Sequence, residues 1–461
     1  MVFCMALPSD FVDLMTPLLG EEAAPFFAAL EADVPGRGLR VNTLKISAED
    51  FAAISPFALT PSPLCPDAFV TEPDARLGLH AFHAAGLYYV QDPSASAAVE
   101  VLAPKPGEKI LDLCAAPGGK STHIAARLSD APGSLLVANE IVPRRAKILS
   151  ANLERIGAKN AVVCCASPED FAAQCEGAFD AVLVDAPCSG EGMFRRDEQA
   201  VHEYSLEHVK SCASRQGLIL DSAAVCVRPG GRLVYSTCTF NPYENEGVID
   251  AFLSRHPDFS IAPIPFPALL PGRPEWAGAD ASLINAGRLM PHKCPGEGHF
   301  VCLLLRAGEG EAAELSAPRE GTLGNRESAD FASFWKENFI SPIFGTPVLH
   351  GDLICLAPDS IPLPRVLRAG VCAARLAKGR IEPEHSLFLS LSKDEFAKKC
   401  VFSPDSPEIA AFLRGETLKI KNISGFAAVC AGSDSGAWAL GFGKISGGIL
   451  KNHYPKGLRF S

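Results

Sequence analysis

Long hydrophobic runs are missing from this chain of 461 residues. None reaches the roughly 18–20 apolar residues that cross a bilayer. The opening residues MVFCMALPSDF show no basic stretch followed by an apolar one, so a secretory leader is not expected and a cytoplasmic setting is. Internal repeats and extended low-complexity tracts are absent too, which removes repeat and fibrous architectures. Positive charge is in short supply, with 42 Lys+Arg against 53 Asp+Glu and a net charge of -11. That argues against a strongly electrostatic nucleic-acid binder taken as a whole. The deficit is uneven, however: from Ser333 onward there are 16 Lys+Arg against 11 Asp+Glu, leaving -16 on the residues before it. An RNA- or phosphate-facing module is therefore expected in the C-terminal part.

Cysteine is plentiful, at sixteen, but scattered, and many of these residues sit in apolar runs, as Cys226 does in AAVCVR and Cys302 in HFVCLLL. Such cysteines behave as small buried hydrophobes in a reducing compartment, so no disulfide framework is expected. With 48% hydrophobic and 21% charged residues, the chain has the composition of a globular protein of several domains.

Residues 1–90 begin with FVDLMTPLLGEEAAPFFAALEA, apolar at helical spacing with Pro25 as the expected break, followed by the strand-like GLRVNTLKIS and the Pro-rich ISPFALTPSPLCPDAF. From about Gln91 to residue 307 continuously apolar strands such as KILDLCA, SLLVANE, FDAVLVD and GRLVYSTCT alternate with helices of ten or more residues. That alternation predicts a doubly wound, mostly parallel α/β sheet covered on both faces. GEGEAAELSAPREGTLGNRES breaks every period, so residues 308–332 are expected to be a linker, with small α+β units over 333–390 and 391–461.

In ILDLCAAPGGKSTHIA a buried strand ends in a loop of small residues and a helix starts at once. Open α/β sheets bind ligands at the carboxyl ends of their strands, where glycine lets the backbone come close. The next strand ends in Glu140, 21 residues after Gly119, a spacing suited to a pair of ribose hydroxyls. Because G-x-G-x-x-G is missing, a pyrophosphate seat and a nicotinamide dehydrogenase are disfavoured. S-adenosylmethionine, a nucleoside cofactor without phosphates, fits the loop better.

Two further strands end in thiols, in DAPCSGEG (Asp185 to Gly192) and in STCT (Ser236 to Thr239). A lone cysteine at such a place is usually structural. If the strands are neighbours, however, Asp185, Cys188 and Cys238 converge on one pocket. The C5 carbon of cytosine is too electron-poor to attack a methyl sulfonium unaided. A thiolate adding to C6 makes it an enamine, provided an acid at N3 draws off charge, and a base must later remove the C5 proton. Sequence chemistry alone leaves the roles of the two thiols exchangeable.

LDLCAAPGGKSTHIA, DAPCSGEGMFRRD and YSTCTFNPYENEGVI together resemble the RsmB/Nop/Sun family of RNA 5-methylcytosine methyltransferases. GLRVNTLKIS, HAAGLYYVQDPSAS, MPHKCPGEGHFVCLLL and GFGKISGGILKNHYPKGLR resemble its RsmF branch, over about Leu7 to Arg459. The resemblance implies a Rossmann-like class I methyltransferase domain between an N-terminal RNA-binding domain and a PUA-like RNA-binding domain. It implies that Cys114, Ala115, Ala116, Pro117, Gly118, Gly119 and Lys120 form the S-adenosylmethionine loop and that Glu140 holds the ribose. Asp185 would lie beside the cofactor and bond N3 of the base. Cys238 would be the nucleophile, and Cys188 would act in releasing the methylated RNA. One departure stands out: where the family carries an acid near the adenine in a pattern like F-D-G-R, this chain has CCASPEDF, with Ser167 at about that place and Glu169 and Asp170 just beyond.

His292, Cys294, His299 and Cys302 in MPHKCPGEGHFVC have zinc-ligand content, but they do not form two close pairs separated by a long loop. His80 and His83 have no further partners, so no metal is expected. Arg195 and Arg196 follow the P-C loop and are candidates for the RNA backbone. Lys444, Lys451, Lys456 and Arg459 with His453 and Tyr454 suggest a phosphate-tracking, base-stacking surface. The expectation is a monomeric enzyme making 5-methylcytosine in 16S ribosomal RNA, free of membrane. A tRNA target, or a catalytically silent ribosome-assembly factor, are the alternatives.

Overall fold

The computed structural model describes residues 7–32, 37–318, 321–377, 380–433 and 435–460. At its centre strands β5 (Lys109–Asp112), β6 (Leu135–Asn139), β7 (Ala161–Cys164), β8 (Phe179–Asp185) and β9 (Val227–Thr237) run parallel in the order β7-β6-β5-β8-β9. Apolar side chains cover both faces of this sheet, which is why its strands read as continuous hydrophobic runs. The intervening helices show the expected signals. Pro143–Ile156 starts on proline, buries Ala146, Leu149, Leu153 and Ile156 along one stripe, and stops at Gly157 in the left-handed region. Leu206–Cys226 is capped by Ser205, whose hydroxyl accepts the His208 N–H at 3.1 Å.

The chain winds outward from β5 to β7 and then returns to place β8 on the other side of β5, so the crevice between β5 and β8 is the switch point of the sheet. Beyond β9 the sheet continues antiparallel through β13 (His299–Arg306) to β12 (Gly287–Leu289) and β11 (Leu270–Pro271), with β10 (Phe259–Ile261) also paired to β13.

Residues before the central sheet do two jobs. Helices Ser9–Leu19 and Ala23–Glu31 pack Phe11, Met15, Phe26 and Leu30 against Phe194, Tyr204 and Phe240, over the loops that carry the thiols. The helical break expected at Pro25 falls instead at Gly20 to Glu22, a short turn of 3-10 helix. Pro25 is tolerated in the first turn of the second helix, where backbone N–H groups lack partners in any case. The four strands β1 (Arg37–Val41), β2 (Thr60–Pro61), β3 (Ala68–Thr71) and β4 (Tyr88–Val90) form an antiparallel sheet in the order β2-β3-β1-β4.

The C-terminal part corrects two expectations. Helix Asn325–Asn338 begins inside the stretch expected as linker, because Phe331 and Trp335, four residues apart, share a buried face. Within 333–390, β14 (Thr346–His350), β15 (Leu353–Ala357), β17 (Val371–Ala377) and β18 (Arg380–Pro383) make their own sheet. Strand β16 (Val366–Ala369) instead pairs antiparallel with β7 and extends the central sheet. The last sheet, β19 (Lys399–Phe402), β20 (Leu418–Lys419), β21 (Gly425–Gly432), β22 (Ala437–Ser446) and β23 (Ile449–Asn452), does not bury its core alone. Phe412, Leu440 and Leu450 join Leu39 of the first sheet, and Phe51 and Phe82 of the short helices beside it, in one hydrophobic cluster. Among the described residues no helix is long and apolar enough to cross a membrane.

Candidate active site

At the switch point β5 ends in Asp112, which is fully buried. One carboxylate oxygen accepts the Ser121 hydroxyl at 2.6 Å, and the other has no hydrogen-bond partner among the described residues. Burial pushes this carboxyl up to about 7. The loop that follows is fixed from the side: Arg145 donates to the Ala116 carbonyl at 3.0 Å and Asn152 to that of Pro117 at 2.8 Å. Asn139 at the end of β6 ties the carbonyls of Leu113 and Ala166 together. Gly118 adopts φ +114°, and a Cβ there would stand 3.2 Å from Leu149, so this position requires glycine.

Cys114, Ala115, Ala116, Pro117, Gly119 and Lys120 line a cavity of about 320 Å³ together with Asp112, Asp185, Cys188 and Cys238. Gly118 shapes the loop from behind without facing that space. Glu140 is placed less directly: one oxygen accepts the Val142 N–H at 2.9 Å and the other pairs with Arg145 at 3.1 Å, so its own loop engages both.

Across the cavity the register of β8 and β9 pairs Asp185 with Ser236. This brings the two thiol loops side by side, with Cys188 Sγ and Cys238 Sγ 3.2 Å apart. Asp185 accepts the Ser236 hydroxyl on Oδ1 at 2.8 Å and pairs through Oδ2 with Lys120 Nζ at 2.8 Å. Burial pushes the Asp185 carboxyl up, but Lys120 and His299 more than offset this and hold it well below the usual carboxylate range. The hydrogen bond to Cys238, reinforced by burial, raises the Cys188 thiol well above its ordinary range, so it keeps its proton.

Comparison with known proteins gives this arrangement a family. The model for the 16S rRNA methyltransferase RsmB/F matches residues 99–305, and that for the N-terminal domain of 16S rRNA methyltransferase RsmF matches 7–93. The methyltransferase RsmF PUA domain matches 399–460. A solved methyltransferase homolog from Pyrococcus horikoshii superposes with a TM-score of 0.58 at 30% identity, covering 64% of this chain and 94% of that one. The chain belongs to the RsmB/F methyltransferase family.

Two curated relatives of this RsmB/F member are ribosomal RNA small subunit methyltransferase F of Klebsiella pneumoniae and that of Erwinia tasmaniensis. The first is 41% identical over 59% of this chain and 57% of its own length, the second 38% over 65% and 63%. The chain thus spans less than two thirds of either relative.

What holds the thiol loops of this RsmB/F chain is a layer of buried acids that sequence reasoning missed. Glu244 accepts the Ser189 N–H at 2.9 Å, Gln216 at 2.8 Å and Asn241 at 2.8 Å, and also meets the Ser189 hydroxyl. Glu191 accepts the Asn241 N–H at 3.0 Å and the Tyr204 hydroxyl at 3.0 Å, and burial pushes its carboxyl up to about 7. The Gly192 N–H bonds the Cys238 carbonyl at 2.8 Å, joining one loop to the other. Behind them Glu246 and Arg288 form a buried ion pair, and Arg288 also donates to the Phe240 carbonyl at 2.8 Å. In the sequence these acids lie in the polar strings SGEGM and PYENEG, where solvent exposure is the ordinary expectation.

Other expectations sort as follows. Arg196 lines the cavity mouth but is committed to Glu297 at 2.5 Å, and Arg195 to the Gly296 carbonyl at 3.1 Å. Ser167 and Asp170 cap helix Pro168–Gln174 in a reciprocal pair. His292 turns to Glu22 and His299 to Asp185, so the four candidate zinc ligands of that segment do not converge. His80 caps helix Ala81–Ala84 through its Nδ1. Among the described residues, Cys65, Glu100 and His123 do cluster, but Arg127 already occupies the Glu100 carboxylate at 2.6 Å. Tyr454, expected on a stacking surface, is buried against His385 and Phe412, so it packs the core of the last unit. His453 lies flat on Phe442, and Lys444 sits over Phe426.

Proposed function

We propose that this chain methylates C5 of cytosine in RNA with S-adenosylmethionine, and that the RNA is 16S ribosomal RNA. The observation that carries the reading is the pair of thiols 3.2 Å apart beside Asp185, inside the cavity that the Cys114–Lys120 loop also lines. Methyl transfer to nitrogen or oxygen needs no nucleophilic thiol, whereas covalent attack at C6 does.

The donor set fits the cofactor. Asp112 presents an unpartnered, fully buried carboxylate oxygen to the cavity, the right complement for a cationic amino acid end. Gly119 leaves room where a Cβ would meet Tyr89 at 3.3 Å. Glu140 reaches the ribose by exchanging its partner Arg145, which is half exposed. When bound, S-adenosylmethionine supplies an electrophilic methyl group.

The residues divide the remaining work. Cys238 is the nucleophile, the role the family resemblance implies for the T-C thiol, and Cys188, which keeps its proton, stands 3.2 Å from its sulfur. Asp185, kept ionised and pinned by Lys120 and Ser236, meets the Watson–Crick edge of the base. Cys188 stands beside the sulfur that must leave at the end and acts in release. The base has to quit its stack, at a cost of a few kcal/mol, which RNA contacts from the flanking units offset. The PUA match over 399–460, in the part of the chain with net positive charge, supports RNA as the partner. The fifteen free cysteines among the described residues suit a reducing cytoplasm.

Two measurements test the reading. Cys238→Ala should abolish 5-methylcytosine and form no RNA adduct, whereas Cys188→Ala should accumulate a covalent RNA–protein adduct; near-normal turnover by Cys238→Ala would remove the assignment. Bisulfite sequencing of RNA from a deletion strain should lose a signal in 16S RNA. A loss confined to tRNA would move the substrate.

A further inference from the structure

His299 opens β13 one residue beyond the Phe300–Thr237 pair, which sets it beside the Cys238 loop. It is only 6% exposed, and it lines the same cavity as Asp185 and both thiols. Its Nδ1 lies 2.9 Å from the Gly298 carbonyl oxygen, a contact that needs a proton on Nδ1. The other ring nitrogen is the one turned inward. Nε2 stands 3.7 Å from Asp185 Oδ1, beyond hydrogen-bond reach, and has no hydrogen-bond partner among the described residues. A buried polar atom left in that state, next to a carboxylate and facing a cavity, marks a place where a ligand completes the bonding.

The covalent route raises a need that this atom meets. When a thiolate adds to C6, an electron pair arrives on N3 and must take a proton. Asp185 is a poor source, because both of its oxygens already accept hydrogen bonds or an ion pair, from Ser236 and Lys120. Histidine is the side chain whose ordinary chemistry exchanges a proton near neutrality. A protonated Nε2 beside Asp185 Oδ1 also forms a donor next to an acceptor. That edge complements cytosine, whose N3 accepts and whose N4 amino group donates, and it opposes uracil, in which both are reversed.

We propose that His299 donates to N3 of the target cytosine and supplies its proton, while Asp185 Oδ1 receives the N4 amino group, so that the two residues together select cytosine. This rests on the cytosine-C5 reading above and moves the N3 contact from Asp185 to its neighbour. As the Cys238 S–C6 bond forms, the C5–C6 π pair shifts to C4–C5, the C4–N3 π pair moves to N3, and the proton passes from Nε2 to N3. After methylation the C5 proton leaves to a base, C5=C6 re-forms, the S–C6 bond breaks, and N3 returns its proton to Nε2. The titratable and charged groups that share its cavity are Asp185 from β8, Asp112 from β5, Cys114 and Lys120 from the loop and helix start after it, Cys188 and Cys238, Tyr89 and Asp92 from before the sheet, and Glu297 in its ion pair with Arg196.

The test uses the full chain with small-subunit RNA in single-turnover methylation, comparing wild type with His299→Phe and His299→Gln, and S-adenosylmethionine affinity by calorimetry as a check on the cavity. His299→Phe should bind the cofactor as wild type does and methylate about 10²–10³-fold more slowly. Its pH–rate profile should lose the contribution that a histidine acid makes, which the wild type retains. His299→Gln, which donates without releasing a proton, should be comparably slow. A wild-type rate and pH profile in His299→Phe, full recovery in His299→Gln, or loss of cofactor binding in His299→Phe each overturns the proposal. A wild type that binds cofactor yet makes no 5-methylcytosine sinks the underlying reading instead.

Discussion

The two walls of the cavity are built by opposite means. On the cofactor side, small residues and one left-handed glycine bring backbone close to the space, and side chains from the neighbouring helix grip the loop from outside. On the thiol side, fully buried carboxylates do the positioning: Glu244 gathers donors from both loops, and Glu191 ties its own loop to N–H groups of the other. A loop that only has to admit a ligand needs permissive backbone. Two sulfur atoms proposed to act in sequence need fixed separation, and charge-assisted hydrogen bonds in a dry interior supply it.

Breaking the thiol wall should have the largest effect. Glu244→Ala strands the Ser189, Gln216 and Asn241 donors, and at about 1–3 kcal/mol for each buried unsatisfied group the loss should approach the whole margin of a typical domain. Denaturant unfolding should show a lower midpoint, and any folded fraction should form no RNA adduct. Arg288→Met leaves the Glu246 carboxylate uncompensated and should cost about 3–5 kcal/mol, read in the same way, with cofactor binding kept in the protein that remains folded.

On the opposite wall the expected effects are smaller and of another kind. Asp112 there, like Glu191 on the thiol side, has a folded-state value near 7, above that of the unfolded chain, so the native state binds more protons between about pH 4 and 7 and stability falls as pH rises through that window. For Asp112 alone this amounts to at most about 4 kcal/mol, at 1.36 kcal/mol per unit. Asp112→Asn should flatten that part of the stability curve measured from pH 5 to 8. Gly118→Ala should cost about 1–2 kcal/mol through its positive φ and the approach to Leu149, and should weaken cofactor binding while leaving the spacing of the thiols unchanged.

The same contrast decides what could be read from the chain. Strand ends, glycines and apolar periods are local, so the central sheet, the small-residue loop after β5 and the two thiols at neighbouring strand ends were legible from their own neighbourhoods. Glu191, Glu244 and Glu246 were not, because an acid in PYENEG looks solvated until long-range folding buries it beside Ser189, Gln216 and Arg288. His299 was visible only as a possible zinc ligand, since its relation to Asp185 depends on β13 lying next to β9. Strand β16 was missed for a similar reason: its four residues gain strand character from β7, some two hundred positions away.

The hydrophobic cluster shared by the first and last sheets also bears on the order in which the chain is made. Leu39, Phe51 and Phe82 leave the ribosome more than three hundred residues ahead of Phe412, Leu440 and Leu450, the side chains that cover them. The apolar face of the first sheet therefore stays open until those later residues have been made. The central sheet can fold in the meantime, and the cavity is completed only when Tyr89, Val90 and Gln91 of the first unit settle against it.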